Sequence, residues 1–348
     1  MTDSRACILS VSGPSLTADE AKLFAEVRPW GVILMGRSCV SVEQVTALCA
    51  DIHAAIGREA LIFIDQEGGR VRRLRPPAWP DFPAPGKYSD IYKRDRDLGI
   101  DAVWLHHRLI AAELAPMGLR ADCAPVVDLL HPGKHAIVGD RSLGDTPEQV
   151  AALARAALDG LQAGGVAGVI KHIPGHGRAE VDSHASMPVV RASREELEAD
   201  LAPFKAVKDA PMAMTAHIAY AAFDGQAAAT VSSRVIGEII RREIGFDGLL
   251  MTDDLGMNAL GGTLADRGKR AIAAGCDVLL HCSGFIKDAT AILDEMAEVA
   301  SAAPVLSGKA LQRAEAAEAV TKTITPFDKR EGWERLHKLL GASGAAMA

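Results

Sequence analysis

The segment GVIKH, Gly168 to His172, decides how the rest of the chain is interpreted. Small and apolar residues lead into a lysine and a histidine, and the run is too short for a helix. It therefore predicts a buried strand that ends in polar side chains. Seven other short runs, bounded by Gly, Pro or polar residues, have the same character. They predict strands at Ala6–Ser12, Gly31–Met35, Ala60–Asp65, Leu119–Asp128, Met212–Ile218, Gly248–Asp253 and Asp277–Cys282.

Helix-like stretches separate these strands, and two of them carry clear capping signals. Thr146–Ala163 opens with Thr-Pro-Glu, which supplies an N-cap, a first-turn proline and an acid near the positive end of the helix dipole. Ser193–Lys208 opens with Ser-Arg-Glu-Glu, a capping-box pattern. The other helices are predicted at Ser41–Ile56, Ser232–Ile244, Asp266–Ala274, Lys287–Ala302 and Lys309–Thr323.

Strands that alternate with helices usually pair in parallel and are buried on both faces. Eight such strands predict an α/β fold, a single (β/α)8 barrel of the TIM type. We assign residues 1–330 to this catalytic barrel, and residues 331–348 to a C-terminal helix and a frayed tail.

Composition narrows the class of protein. The 348 residues are 49% hydrophobic with a net charge of −7, which argues against disorder and against a nucleic-acid surface. The chain has no apolar run of about 18 residues, so we expect no membrane span, and the N-terminus is typical of a first strand. The six cysteines are scattered and predict free thiols in a reducing compartment. We therefore expect a cytoplasmic protein with neither nucleic-acid nor membrane partners.

Polar residues close five of the predicted strands at their carboxyl ends. A polar side chain at the end of a buried apolar strand needs solvent or a polar partner. TIM-type barrels keep their active sites at this end, so the set predicts the mouth of such a site. Its members are Asp65, Asp128, Lys171, His172, His217, Asp253 and Asp254.

The loop after the fifth strand, Lys171 to Pro188, has the sequence KHIPGHGRAEVDSHASMP. Asp182 and His184 lie two residues apart in it, close enough for the carboxylate to orient the imidazole. One ring nitrogen would then stay free for proton transfer. Taken alone, this pair is also compatible with a surface turn, but it lies beside the Lys-His end of a strand.

Two further segments supply carboxylates and cations. GLLMTDDLGM, Gly248 to Met257, has two adjacent acids, and only one can face the site because neighbouring strand side chains point in opposite directions. FIDQEGGRVRRL, Phe63 to Leu74, combines acids with three arginines. Carboxylates accept hydrogen bonds from polyol hydroxyls and guanidinium groups donate to them. A carboxylate facing a proton-transfer group across such a mouth is the arrangement for glycoside hydrolysis.

These motifs resemble those of the family 3 glycoside hydrolases, and within them the single-domain bacterial β-N-acetylhexosaminidases of the NagZ type. The D-S-H loop is characteristic of that branch. The matching stretches follow the family order and span most of the predicted barrel. They are IDQEGGRVRRL, GDRSLG, KHIPGHG followed by DSH, MTAHI and TDDLGM.

The resemblance implies a role for each matching residue. Asp253 would be the nucleophile, His184 the acid/base and Asp182 its partner. The family is retaining and metal-free, so no cofactor is expected. The residues expected to hold the non-reducing N-acetylglucosamine are Asp65, Arg73, Arg141, Lys171 and His172.

The resemblance also implies a substrate and a place of action. NagZ-type members act in the cytoplasm on N-acetylglucosaminyl muropeptides, removing N-acetylglucosamine from 1,6-anhydro-N-acetylmuramyl species during cell-wall recycling. This chain departs from the family pattern at Ser38, Ile173 and Arg178. None of the three has a proposed catalytic role, but Arg178 lies in the loop that carries Asp182 and His184, where it bears on loop movement or aglycone preference.

Three other hypotheses stay open from the residues. A metal-dependent barrel hydrolase would use four imidazole and carboxylate ligands, and full activity after chelation would exclude it. A Schiff-base lyase would use Lys171 as the amine. A sugar-binding protein without turnover would bind the ligand and release no free sugar. The metal ligands in the first hypothesis are His172, His176, Asp182 and His184.

Overall fold

The computed structural model describes residues 3–131, 133, 138–179, 187–284, 286 and 288–344. Eight parallel strands form a closed barrel in which each strand pairs with the next along the chain and the last pairs with the first. This confirms the predicted α/β, (β/α)8 architecture. The strands are β1 Arg5–Leu9, β2 Pro29–Leu34, β3 Leu61–Ile64, β4 Ala121–Asp122, β5 Ala167–Ile173, β6 Met212–Thr215, β7 Leu249–Asp254 and β8 Val278–Leu280.

Helices surround the barrel, and the predicted caps are present. Ser41, Thr146 and Ser193 each accept a backbone N–H at a helix start, and Ser193 forms a complete capping box with Glu196. The helices of eight or more residues are α1 Ala18–Val27, α2 Val42–Ile56, α3 Lys87–Arg94, α4 Arg96–Leu114, α5 Pro147–Ala163, α6 Arg194–Ala206, α7 Val235–Ile244 with π-type turns, α8 Leu264–Ala274, α9 Ala289–Ala302, α10 Gly308–Val320 and α11 Lys329–Gly344.

The sequence patterns missed α1, α3 and α4. Helix α4 packs against α3, α5 and α11, so it buries polar as well as apolar residues, including His106 and His107. This burial on several faces hides the 3.6-residue apolar period. Helix α1 begins with a capping box between Thr17 and Glu20, a signal that was present in the sequence.

Five strands, β1, β3, β4, β6 and β8, are shorter than predicted. Strand β4 covers only Ala121–Asp122, because Pro125 has no N–H to continue a regular ladder. Strand β6 ends at Thr215 rather than Ile218. The chain then enters a small second sheet, which consists of Val189–Val190, Ala219–Tyr220 and Gly225–Ala228.

Side chains fill the barrel interior, and α10 covers its amino-terminal end. Trp30 and Phe63 lie in the inner core with ring centroids 5.7 Å apart, and burial of each such side chain contributes about 1.5–3 kcal/mol. Leu306 and Ala314 pack against the same cluster at the amino-terminal end of the barrel. Trp30 also donates from Nε1 to Glu318 of α10 at 2.9 Å. The barrel is therefore closed at this end.

The remaining features concern the chain ends and the thiols. Helix α11 packs on α3 and α4 and continues through Gly344, into the segment expected to fray. All six cysteines are free; Cys39 is half-buried and the other five are buried. In the part of the chain that the structure describes, no helix is both long and apolar enough to cross a membrane.

Candidate active site

A cavity of about 340 Å³ opens at the carboxyl ends of the barrel strands. Its size suits one sugar unit, and its wall combines charged side chains with methionines. Asp253 and all five residues predicted to bind sugar line it, so the structure brings this part of the predicted set together. The polar lining residues are Asp65, Arg70, Arg73, Arg141, Lys171, His172, His176, Asp253 and Asp254.

Two carboxylates from the segment after β3 hold three of the cations in place. Asp65 contacts Arg73 Nη2 at 2.9 Å and Lys171 Nζ at 3.1 Å. Glu67 receives both Nε and Nη2 of Arg141, at 2.8 and 2.7 Å, and Lys171 Nζ at 2.7 Å. Lys171 therefore bridges the two carboxylates, and the cations are fixed before any ligand binds.

The charges in this network stabilise one another. Burial alone would raise the pKa values of Asp65 and Glu67, but the neighbouring cations more than offset it. The pKa of Glu67 is lowered to about 2, and that of Asp65 also lies below its ordinary value. Burial opposes a charged Lys171, yet Glu67 and Asp65 raise its pKa above the ordinary value. A neutral amine for Schiff-base chemistry is therefore disfavoured at Lys171.

Asp128 orients His172 from beneath the cavity. This fully buried carboxylate contacts His172 Nδ1 at 2.7 Å and accepts the backbone N–H of His176 at 2.6 Å. Burial would raise the pKa of Asp128, but His172 and His176 hold it below the ordinary value. An ionised carboxylate only accepts, so Nδ1 of His172 carries a proton and Nε2 is left for a ligand.

Asp253 and Asp254 end β7 and both line the cavity, whereas strand alternation predicted that only one would face it; their hydrogen bonds nevertheless differ. Asp254 Oδ1 accepts the backbone N–H groups of Gly256 and Cys282, each at 3.0 Å, and so shapes the next turn. Asp253 accepts a single hydrogen bond among the described residues, from the Asp254 N–H at 2.8 Å. Burial would raise the pKa of Asp253, but the neighbouring imidazoles of His217 and His172, the Asp254 N–H and the Lys171 ammonium hold it below the ordinary value. Asp253 is therefore an anion in the cavity wall.

Asp182 and His184, the predicted acid/base pair, lie outside the described residues. The described part of their loop, residues 174–179, includes Arg178, which was expected to affect loop movement or aglycone preference. Arg178 Nε donates to Asp200 of α6 at 2.6 Å, and Nη2 donates to the Glu196 carbonyl at 3.0 Å. This end of the loop is thus tied to α6.

Glu67 is the main site residue that the sequence patterns did not single out. It lies two positions after Asp65, so an extended backbone directs both carboxylates to the same side. That two-residue spacing of acids directly after a buried strand was a signal from which Glu67 could have been predicted as a site residue. The partner of Glu67, Arg141, lies 74 residues away and only the fold shows their contact.

A second cavity of about 530 Å³ adjoins the first and shares Met35, Arg73 and Gly284 with it. Its described lining has arginines and no acidic side chain. Arg72 pairs with Asp81 outside the cavity, whereas exposed Arg75 makes only a weak contact, from Nε to the Arg72 carbonyl at 3.4 Å, within the described part of the chain. The cavity therefore presents positive charge beside the sugar-sized pocket.

Comparisons with known proteins agree with this geometry. The family model described as the glycosyl hydrolase family 3 N-terminal domain matches residues 6–322. A protein from Alkalilimnicola ehrlichii named beta-hexosaminidase is 41% identical over 285 residues, which are 79% of this chain and 80% of that protein. A relative of the same name from Bordetella avium is 37% identical over 281 residues, 79% of this chain and 80% of its own length.

Solved structures show the same likeness over the whole chain. NagZ from Neisseria gonorrhoeae, in complex with N-trifluoroacetyl-D-glucosamine, has a TM-score of 0.78 at 30% identity, and 98% of each chain is covered. The family match covers residues 6–322, which contain all the described residues that line the cavity. The chain belongs to glycosyl hydrolase family 3 and is a glycoside hydrolase.

Proposed function

We propose that the protein is a retaining exo-β-N-acetylglucosaminidase that removes non-reducing N-acetylglucosamine from peptidoglycan fragments. Asp253 attacks the anomeric carbon and forms a glycosyl-enzyme while the bond to the leaving oxygen breaks. His184, oriented by Asp182, protonates that oxygen. His184 then takes a proton from water, which attacks the anomeric carbon and releases Asp253.

One observation carries this proposal: an ionised carboxylate, Asp253, shares a sugar-sized cavity with a fixed set of hydrogen-bond donors and acceptors. Lys171 and Arg141 donate to ring hydroxyls, and Asp65 accepts from them. The cavity walls leave room for one terminal sugar, which favours exo action. No step requires a metal or another cofactor.

Two measurements test this function together. Mass spectrometry of products from GlcNAc-1,6-anhydroMurNAc should detect free N-acetylglucosamine and the anhydro sugar. A 5-fluoro sugar fluoride should label Asp253, because fluorine slows hydrolysis of the glycosyl-enzyme. Label on any other residue, or no sugar release, would contradict the proposal.

The arginine-lined cavity supports a carboxylate-bearing aglycone, as muramyl fragments have. Replacement of Arg75 by glutamine should lower kcat/KM for GlcNAc-1,6-anhydroMurNAc by about fivefold, because an exposed charge pair contributes up to about 1 kcal/mol. The Arg75→Gln variant should turn over chitobiose at the wild-type rate, because this neutral disaccharide has no carboxylate that could pair with Arg75. Steady-state kinetics on both disaccharides measures this difference, and equal losses would assign the cavity no role in charge recognition.

Replacement of His184 by alanine should harm substrates with poor leaving groups most. A sugar alkoxide needs a proton to depart, so we expect a loss of about 10²–10⁴-fold on the disaccharide. An activated aryl N-acetylglucosaminide needs little protonation and should lose far less in its first step. Pre-steady-state release of the phenol measures that step, and Ser183→Ala is the matched loop control. Similar losses on both substrates would rule out His184 as the acid.

A further inference from the structure

The last three residues of β7 extend beyond the part of that strand that pairs with β6. Pairing between β6 and β7 ends where Met251 lies opposite Met214. Strand β6 ends one residue later, and its chain then leaves for the small second sheet. Thr252, Asp253 and Asp254 therefore lie past the paired part of this edge, although Asp253 is the residue on which the proposed chemistry depends.

His217 occupies the position where β6 would have continued. Its Nε2 lies 3.1 Å from the Asp254 carbonyl oxygen, and its Nδ1 lies 2.7 Å from Thr230 Oγ1. Thr230 Oγ1 is in turn 2.8 Å from Thr215 Oγ1. All three side chains are fully buried. The ring thus supplies the hydrogen bond that a strand amide would otherwise donate.

The direction of each hydrogen bond follows from the chemistry of its atoms. A carbonyl oxygen only accepts, so Nε2 of His217 carries a proton. Burial lowers the pKa of His217, although Asp253 and Asp254 oppose this, and the ring is neutral. Nδ1 of the neutral ring has no proton, so the Thr230 hydroxyl donates to it at 2.7 Å rather than to the Ala216 carbonyl at 3.2 Å, and it accepts the Thr215 hydroxyl proton. The two threonines select the tautomer that holds Asp254.

The other side of Asp254 is fixed independently. Its carboxylate accepts the Cys282 N–H from beyond β8, and Asp254 pairs with Leu280 across the sheet. With His217 on its carbonyl and β8 on its side chain, residue Asp254 has little freedom to rotate about its own backbone bonds, so the preceding peptide group, which carries the Asp254 N–H, is held as well. Its N–H is the group that contacts Asp253 Oδ1 at 2.8 Å.

We propose that His217 is a positioning residue, whose Nε2–H holds the Asp254 carbonyl and thereby aims the Asp253 carboxylate at the anomeric carbon. This rests on the proposed function of Asp253 as nucleophile. Thr230 and Thr215 belong to the same device, because they keep the proton on Nε2. None of the three residues is among the polar groups that line the sugar cavity.

A matched pair of variants tests the donor at Nε2. Glutamine places its amide nitrogen as many bonds from Cβ as Nε2, so His217→Gln retains a donor to Asp254. Asparagine is one bond shorter, so His217→Asn removes it. Inactivation by N-acetyl-5-fluoroglucosaminyl fluoride gives separate constants for binding and for covalent bond formation.

We expect His217→Asn to lower the trapping rate constant by about 10²-fold, the usual effect of a misplaced reacting group, with the binding constant changed less than twofold. His217→Gln should stay within about fivefold of the wild type in both constants. Equal trapping in the two variants, or a parallel loss of binding, would overturn the proposal. If His217→Asn does not fold, Thr230→Val against Thr230→Ser decides in the same way.

The wild-type reaction separates this inference from the proposed function. Label that is absent from Asp253 in the wild-type protein means that the proposed function is wrong. Label on wild-type Asp253, together with unaltered trapping in His217→Asn and Thr230→Val, means that only the role of His217 is wrong.

Discussion

Replacement of Asp253 by alanine should lower turnover of an aryl N-acetylglucosaminide by about 10⁴-fold or more, because covalent catalysis is lost. The protein should stay folded. The carboxylate accepts one hydrogen bond within the described residues, so its removal costs about 1 kcal/mol. Initial rates and the thermal unfolding midpoint measure the two effects, and near-normal turnover would remove the proposed mechanism.

Asp254 provides the matched control for this prediction. It is the adjacent carboxylate on the same strand and also lines the cavity, but it accepts two backbone amides from the next turn and from beyond β8. Asp254→Asn keeps an acceptor oxygen for both amides, so we expect a loss of less than about tenfold. A larger loss from Asp254→Asn than from Asp253→Ala would exchange the roles assigned to the two residues.

Replacement of Glu67 by glutamine should damage both stability and substrate binding. The side chain is 1% exposed and pairs with Lys171 and Arg141, so a neutral amide leaves buried cations with less compensation. Breaking such a buried pair costs about 3–5 kcal/mol of unfolding free energy. The released cations also shift within the sugar site, so kcat/KM should fall by about 10²-fold. Denaturant unfolding and steady-state kinetics measure the two losses.

The exposed pair between Arg70 and Asp140 is the control for Glu67. Their side chains are 47% and 54% exposed, so Asp140→Asn should cost no more than about 1 kcal/mol. The pKa of Glu67 falls from 4.5 to about 2 on folding, so its stabilisation is complete above about pH 4.5 and is lost as the pH falls towards 2. A stability gap between wild type and Glu67→Gln that stays constant down to pH 2 would contradict this charge pairing.

The barrel was predictable because its strands are short apolar runs that end in polar residues. Lys171 and His172 illustrate this, since both lie among the last three residues of β5 and line the cavity. Helix caps such as Ser193 were predictable as well, because they depend on neighbours three residues apart. Local patterns therefore identified the strands, the mouth of the barrel and the cavity wall.

Features that depend on distant residues were not predictable. The contacts of Glu67 with Arg141 and of His217 with Thr230 join different segments, and no local pattern encodes them. Helix α4 was missed because its neighbours bury it on several faces. The roles of Asp182 and His184 remain a prediction from sequence.

Helix α10, through Ala314 and the Trp30–Glu318 contact, closes the amino-terminal end of the barrel together with Leu306, which precedes it. Substrate, water and products therefore have to enter and leave at the carboxyl-terminal end of the barrel, where the cavity opens. The aglycone has to leave before water can reach the anomeric carbon of the glycosyl-enzyme. The released monosaccharide then occupies the pocket and keeps the next substrate molecule from binding until it diffuses out. A polysaccharide cannot pass through a pocket that is closed at one end, so we expect each catalytic cycle to remove one terminal sugar. We also expect the released sugar to compete with substrate, which is product inhibition.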